Sequence, residues 1–182
     1  MSRSHRLAHW LAALLCFSLA LAVIKGAGLP LRSVFSGDLP QAVAPEPGHP
    51  APIFQLPTWS GEMVSLMQSD SAFTLLYFWS TGCAPCRNEM PALDELQKSE
   101  TLRILAVNMG ESANTVRAWV DQLELTFTVL LDPVLAVARA YQIRGLPSAF
   151  LIDAEYRIVR LYYGPVGIDQ LRRDLSGYAQ NG

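Results

Sequence analysis

From Phe73 onward the chain alternates short, wholly apolar runs with longer stretches in which apolar residues recur every three or four positions. The first kind suits strands buried on both faces, and the second suits helices with one buried side. Phe73 to Trp79 (FTLLYFW) and Leu102 to Met109 (LRILAVNM) are therefore predicted as buried strands. Pro85 to Lys98 has helical spacing, with Met90, Leu93 and Leu96 apolar. Ala113 to Leu123 forms a second helix with Val116, Trp119, Val120 and Leu123 on its apolar face. Thr126 to Leu131 reads as a strand and Val134 to Tyr141 as a short helix. Ala149 to Asp153 and Arg157 to Tyr163 read as antiparallel strands joined at Ala154-Glu155, and Ile168 to Tyr178 as a closing helix. Ahead of these, Phe54-Gln55-Leu56 and Glu62 to Leu66 flank a Trp59-Ser60-Gly61 turn and predict a hairpin extension. The element order predicts an α/β fold, a central mixed sheet with helices on both faces.

The first residues break this rhythm. Arg3 and Arg6 precede an uncharged apolar run from Trp10 to Ile24, which starts at Leu7 if His9 is included. Its length lies between a signal-peptide core and a comfortable membrane span. An uncleaved anchor is expected over residues 1–25. A signal cleaved after Ala22 is the alternative, although Val23 and Ile24 continue the run past that point. A buried core helix is a third, weaker reading. The two arginines would keep the N-terminus cytoplasmic and export the rest, which puts the domain on the periplasmic side of a bacterial inner membrane. Cys16 lies inside the run after Leu15, not after the small residue a lipoprotein site needs, and reads as an inert helix position. Residues 26–50 hold Pro30, Pro40, Pro45, Pro47 and Pro50 without strand or helix periodicity. They read as a tether, with a packed arm as the alternative for their last residues. The folded domain is placed at 51–182.

Composition narrows the chemistry. Lys+Arg 14 against Asp+Glu 16, with no basic cluster, argue against nucleic-acid binding. The histidines are His5, His9 and His49, so the domain holds no His for a zinc site or a Cys-His pair. Three cysteines are too few for a disulfide-stapled miniprotein. Two of them stand together in Ser80-Thr81-Gly82-Cys83-Ala84-Pro85-Cys86-Arg87, where a buried strand hands over to a helix. In a first helical turn, residues three apart share a face, so Cys83 and Cys86 can close a disulfide. The helix N-terminus offers partial positive charge and free N–H groups, which favour a thiolate at Cys83. Pro85 suits an early helical position. Cys83 is thus expected as the exposed nucleophile and Cys86 as the more buried resolving thiol. A haem attachment site would need His where Arg87 stands, and a zinc site would need two further ligands. A four-residue loop makes a poor structural staple.

The strand–CxPC–helix unit is followed by Arg144-Gly145-Leu146-Pro147-Ser148 just ahead of the strand Ala149-Phe150-Leu151-Ile152. With FWSTGCAPCRNEMP, LLDP and RGLPSAFLID, residues 50 to 180 resemble the thioredoxin superfamily, in particular its TlpA-like and DsbE-like membrane-anchored branch, which includes thiol–disulfide proteins of cytochrome c maturation. The resemblance implies a thioredoxin fold and a cis Pro147 lying against the cysteines, with neighbouring backbone at Leu146 pairing with a substrate's extended chain. It also implies that Glu89, three residues after Cys86, lies near the pair and tunes proton transfer; a solvated helix Glu is the alternative. Trp79, at the strand end, is a further candidate for substrate contact, with a plain core role equally open. The chain departs from the pattern at three places. Gly82 replaces a common Trp before the first Cys, Tyr77 stands where thioredoxin has a buried Asp, and Ser148 follows the proline where cytochrome-maturation members often carry an acid.

The expected function is that of an exported, membrane-tethered thiol–disulfide oxidoreductase that reduces disulfides of extracytoplasmic proteins without a cofactor or metal. A membrane electron-transfer partner would recharge it. The rivals are a disulfide-forming oxidase, a thioredoxin-fold chaperone or copper-binding module, and a thiol peroxidase, whose reactive Cys would want a different surrounding motif.

Overall fold

In a computed structural model of the chain, residues 45–68, 71–99 and 102–179 are described. The expected anchor and the tether up to residue 44 lie outside them. Among the described residues no helix is long and apolar enough to cross a membrane.

The continuous apolar runs become the centre of the sheet. Strand β3 (Phe73–Trp79) is buried from Thr74 onward and lies between two neighbours. It pairs in parallel with β4 (Leu102–Met109) and antiparallel with β6 (Ser148–Asp153). β5 (Thr128–Asp132) and β7 (Ile158–Tyr163) close the two edges, giving the order β5-β4-β3-β6-β7. β7 is only partly covered, as an edge strand is, and sends Tyr162 into one core and Ile158 into the other. A two-stranded hairpin of β1 (Gln55–Pro57) and β2 (Met63–Ser65) precedes the sheet.

Because side chains alternate along a strand, each sheet face collects its own core. Leu75, Tyr77 and Trp79 face a cluster with Met90, Leu93 and Leu96 of helix α1 (Ala84–Ser99), Val116, Trp119 and Val120 of α2 (Ala113–Gln122), and Leu171 and Leu175 of α4 (Ile168–Ala179). Leu76 and Phe78 face the hairpin residues Leu56, Val64 and Leu66 together with Val137 and Ala138 of the short helix α3 (Ala136–Ala140). On that side Tyr141 packs against Phe78 and Phe150, with centroids 5.5 and 4.9 Å apart. Such aromatic pairs contribute about 1 kcal/mol each beyond area burial. The α/β fold expected from the pattern, and the thioredoxin fold that the resemblance implies, is the fold present, with the hairpin sharing one face with α3.

Residues 48–50, placed at the end of the tether with a packed arm as the alternative, form such an arm and, with Ala51, are fastened to Tyr156 and to Ile158 at the start of β7. Gly48 N–H donates to the Ile158 carbonyl at 2.7 Å, Ile158 N–H to His49 at 2.9 Å, and Ala51 N–H to Tyr156 at 2.8 Å. This arm takes up backbone groups that an edge would otherwise leave to solvent.

Candidate active site

β3 ends at Trp79, and the chain turns through Ser80–Gly82 into α1. Cys83 N–H donates to the Ser80 carbonyl at 3.1 Å, and Arg87 N–H to the Cys83 carbonyl at 3.1 Å. Cys83 therefore occupies the N-cap of α1. Its Sγ accepts the Cys86 N–H at 3.2 Å, the bond an N-cap side chain normally takes from the third helical residue. The two cysteines form a disulfide with Cα atoms 5.3 Å apart. Cys83 is 8% exposed and Cys86 fully buried, so an incoming sulfur meets Cys83 first.

The Leu146–Pro147 peptide is cis. Because Phe78 pairs with Ser148, the turn leading to the cysteines and the turn carrying the cis proline lie side by side at one end of β3 and β6. Gly164 N–H donates to the Pro147 carbonyl at 2.9 Å, and the Ser148 hydroxyl donates to Gly145 at 2.8 Å, closing the proline turn on itself. Pro147 is buried and Leu146 half-buried. The Leu146 N–H and carbonyl have no hydrogen-bond partner among the described residues.

Glu89 lies on α1 one turn after Cys86. Its carboxylate accepts the Gly167 N–H at 2.8 Å and the Tyr77 hydroxyl at 3.2 Å, and neither contact is to a cysteine sulfur. Tyr77 is fully buried, and burial together with the neighbouring Glu89 carboxylate holds its phenol well above the usual range. Tyr77 therefore stays a proton donor. Where thioredoxin has an acid on the strand, this chain has a phenol that reaches an acid on the helix.

Trp79 does not reach the surface. It is fully buried and stacks on Trp119 with centroids 4.5 Å apart. Its place inside the α1–α2 core corrects the expectation that it touches substrate, because a docking chain cannot reach an indole with no exposed area. Its Nε1 has no hydrogen-bond partner.

The sequence reading missed Glu111. This carboxylate accepts the Thr81 N–H at 2.9 Å, the Thr81 hydroxyl at 2.5 Å and the amide of the buried Asn108 at 2.6 Å. Partial burial works against its charge, but the Asn108 and Thr81 donors outweigh that and hold its carboxyl below the ordinary range. Glu111 thereby ties the turn ahead of Cys83 to the end of β4. The available signal was Asn108, a lone polar residue inside an otherwise apolar strand run.

A thioredoxin fold with a helix-capping cysteine, a buried second cysteine and a cis proline beside them defines a dithiol–disulfide exchange protein. The chain belongs to the AhpC/TSA family, whose pattern it matches over residues 47–161. It is 33% identical over 172 residues to the thioredoxin-like protein YneN of Bacillus subtilis, covering 92% of this chain and 96% of that one. It is 37% identical over 148 residues to the thiol-disulfide oxidoreductase ResA of Halalkalibacterium halodurans, covering 79% and 82%. Its fold resembles the thioredoxin domain of a thiol-disulfide oxidoreductase of Bacteroides vulgatus, with TM-score 0.64 and 25% identity over 73% of this chain and 97% of that one. The protein is a thiol–disulfide oxidoreductase of the thioredoxin fold.

Proposed function

We propose that the protein works outside the cytoplasm, tethered to the membrane through residues 7–24, and reduces disulfides of exported proteins. The observation that carries the exchange reaction is the pairing of a slightly exposed Cys83 with a fully buried Cys86 beside the cis proline. In the cycle, the Cys83 thiolate attacks one sulfur of a substrate disulfide and displaces the other as a thiolate. The deprotonated Cys86 then attacks Cys83 Sγ and releases the substrate's second sulfur as a thiolate. Two electrons pass to the substrate, and the Cys83–Cys86 disulfide remains. Glu89, held one turn from Cys86, accepts the proton that Cys86 loses at the resolving step. The unpaired Leu146 backbone groups hold the substrate chain in extended form.

The direction of electron flow rests on what surrounds Cys83. Ala84 and Pro85 separate the cysteines, and no His supports the thiolate. The carboxylates of Glu89 and Glu111 near the motif work against a second negative charge. A poorly stabilised reduced form gives a low potential. A membrane electron-transfer partner is then needed to recharge the dithiol. Redox titration of the full chain against glutathione and dithiothreitol tests the direction: strong dithiol oxidants poise near about −120 mV and thioredoxin near about −270 mV. A value near the oxidant end would replace this reading with disulfide formation. A reporter that works only in the cytoplasm, fused after Gly182, should be silent; activity there would end the export proposal.

A further inference from the structure

A docking chain reaches the disulfide through Cys83, between the turn at residues 80–83 and the cis-proline turn. Three features of this rim bear on which chain docks. Gly82 is exposed, its φ lies outside the left-handed region, and a Cβ placed on it meets nothing within 4 Å. The backbone does not require glycine there, so the missing side chain leaves open space beside Cys83. Arg87 and Arg144 are both exposed, one turn after Cys83 and two residues before Leu146. Neither guanidinium makes an ion pair or hydrogen bond among the described residues. Among the other arginines, Arg117, Arg160 and Arg172 face Asp121, Asp174 and Asp169, Arg139 donates to the Val134 carbonyl, and Arg103 of β4 has a buried Nη1 without a partner.

The two carboxylates nearest the cysteine motif are turned to internal donors. Glu111 is taken by Thr81 and Asn108, and Glu89 by Tyr77 and Gly167. Glu46 shares a cleft with Arg144 and the exposed Tyr163 without an ion pair to Arg144. The unpaired charges that an approaching chain meets are therefore two cations, Arg87 and Arg144, and one exposed carboxylate, Glu46, so the three together leave the rim positive.

We propose that this rim selects protein segments whose redox cysteine is flanked by acidic side chains. Arg87 and Arg144 pair with the flanking carboxylates, and the space at Gly82 admits the side chain next to the substrate cysteine. The inference deepens the exchange function and rests on Cys83 being the sulfur that meets substrate. The arginines act on docking only, and the electron count of the exchange is unchanged.

The test uses three synthetic peptides with one internal disulfide, identical except that Glu, Ser or Lys flanks each cysteine. Rates are measured by chromatography with the reduced full-length protein, and in the reverse direction with oxidised protein and the dithiol peptides. Exposed charges at a docking rim alter encounter rates by roughly ten- to a thousandfold. Two solvent-exposed arginines belong at the low end, so the Glu peptide should react about tenfold faster than the Lys peptide at low ionic strength, with Ser between. High salt should compress the ratio. In the Arg87→Glu, Arg144→Glu double variant the order should invert. Equal rates for the Glu and Lys peptides, or a ratio that charge reversal leaves untouched, would overturn the proposal. The faster direction with the Ser peptide tests the reductant reading separately, because the charge ratio is measured both ways.

Discussion

Helix α1 is fastened at two places by carboxylates, and the two fastenings are built differently. In its third turn Asp94, only 3% exposed, accepts the Thr126 N–H at 2.7 Å, the Thr126 hydroxyl at 3.0 Å and the Phe127 N–H at 3.0 Å, and pairs with Lys98 at 2.9 Å. Burial alone would push this carboxyl up, but Lys98 and the Thr126 and Phe127 donors outweigh it and hold it below its usual range. Near the cysteines, Glu89 is half-buried and has one backbone donor and one phenol. A saturated, buried acceptor fixes one element to another. A half-exposed acceptor with fewer partners, one turn from a thiol, can still take a proton. The same residue chemistry thus serves anchoring at one end of the helix and, we propose, reaction at the other.

The largest effects should fall on the cysteine end. Cys83→Ser should abolish exchange, since a hydroxyl is not ionised near neutral pH as a capped thiol can be. Cys86→Ser should keep the first attack and accumulate a mixed disulfide, visible by mass spectrometry of the trapped adduct. If iodoacetamide labels Cys86 ahead of Cys83 in the reduced protein at mildly acidic pH, the assignment of roles is reversed.

At the other end, Asp94→Ala should cost about 3 kcal/mol in urea unfolding at pH 7, because it strands buried N–H donors. Its reduction potential should stay at the wild-type value. The sign of the pH dependence follows from the lowered carboxyl. Asp94 stabilises the fold above the ordinary Asp range of about 3.9, and that contribution is lost as pH falls through its lower folded value. The gap between wild type and Asp94→Ala should therefore narrow below about pH 4. A gap that stays constant to acid would deny Asp94 its anchoring charge.

Glu111 lies between the two cases, with several donors like Asp94 but next to the cysteine turn like Glu89. Glu111→Ala should cost about 2 kcal/mol, since Asn108 and the Thr81 N–H lose their acceptor. It should also slow exchange, because the turn before Cys83 is no longer tied down. Unfolding curves and single-turnover rates on the same sample separate the two losses. An unaltered rate would place Glu111 wholly with Asp94.

What could be read ahead of the structure follows from how local each signal is. β3 and β4 begin and end where their apolar runs do, and the motif at Cys83 and the proline turn are contiguous words. Contacts between distant segments were not legible. Thr81 and Glu111 are 30 residues apart and meet only because β3 and β4 are parallel neighbours. The strand expected from Thr126 begins at Thr128, because Asp94 captures the N–H groups of Thr126 and Phe127. Helix α3 was expected from Val134 and starts at Ala136, where the buried Asp132 accepts the N–H groups of Ala136 and Ala138 at 2.8 Å and Leu135 sits at φ 56°. Trp79 looked like a rim residue because it is next to the motif, yet strand alternation sends its ring inward with Leu75 and Tyr77.

The smallest expected effect is also the sharpest test of the comparison. Glu89→Gln keeps a carbonyl oxygen that can accept from Gly167 or Tyr77, so stability should fall by under about 1 kcal/mol. What the amide cannot do is receive a proton. If Glu89 takes the proton from Cys86, decay of the mixed disulfide should slow by about tenfold near neutral pH, the low end for a positioned base. The deficit has a required pH dependence. Below the ordinary cysteine range of about 8.5, Cys86 needs help to deprotonate, and above it hydroxide suffices. The variant should therefore lag most at low pH and converge on wild type as pH rises. Stopped-flow decay of a preformed Cys83 adduct across that range measures it. A lag of the same size at every pH, or none, would make Glu89 a second anchor of the Asp94 kind and remove it from the reaction.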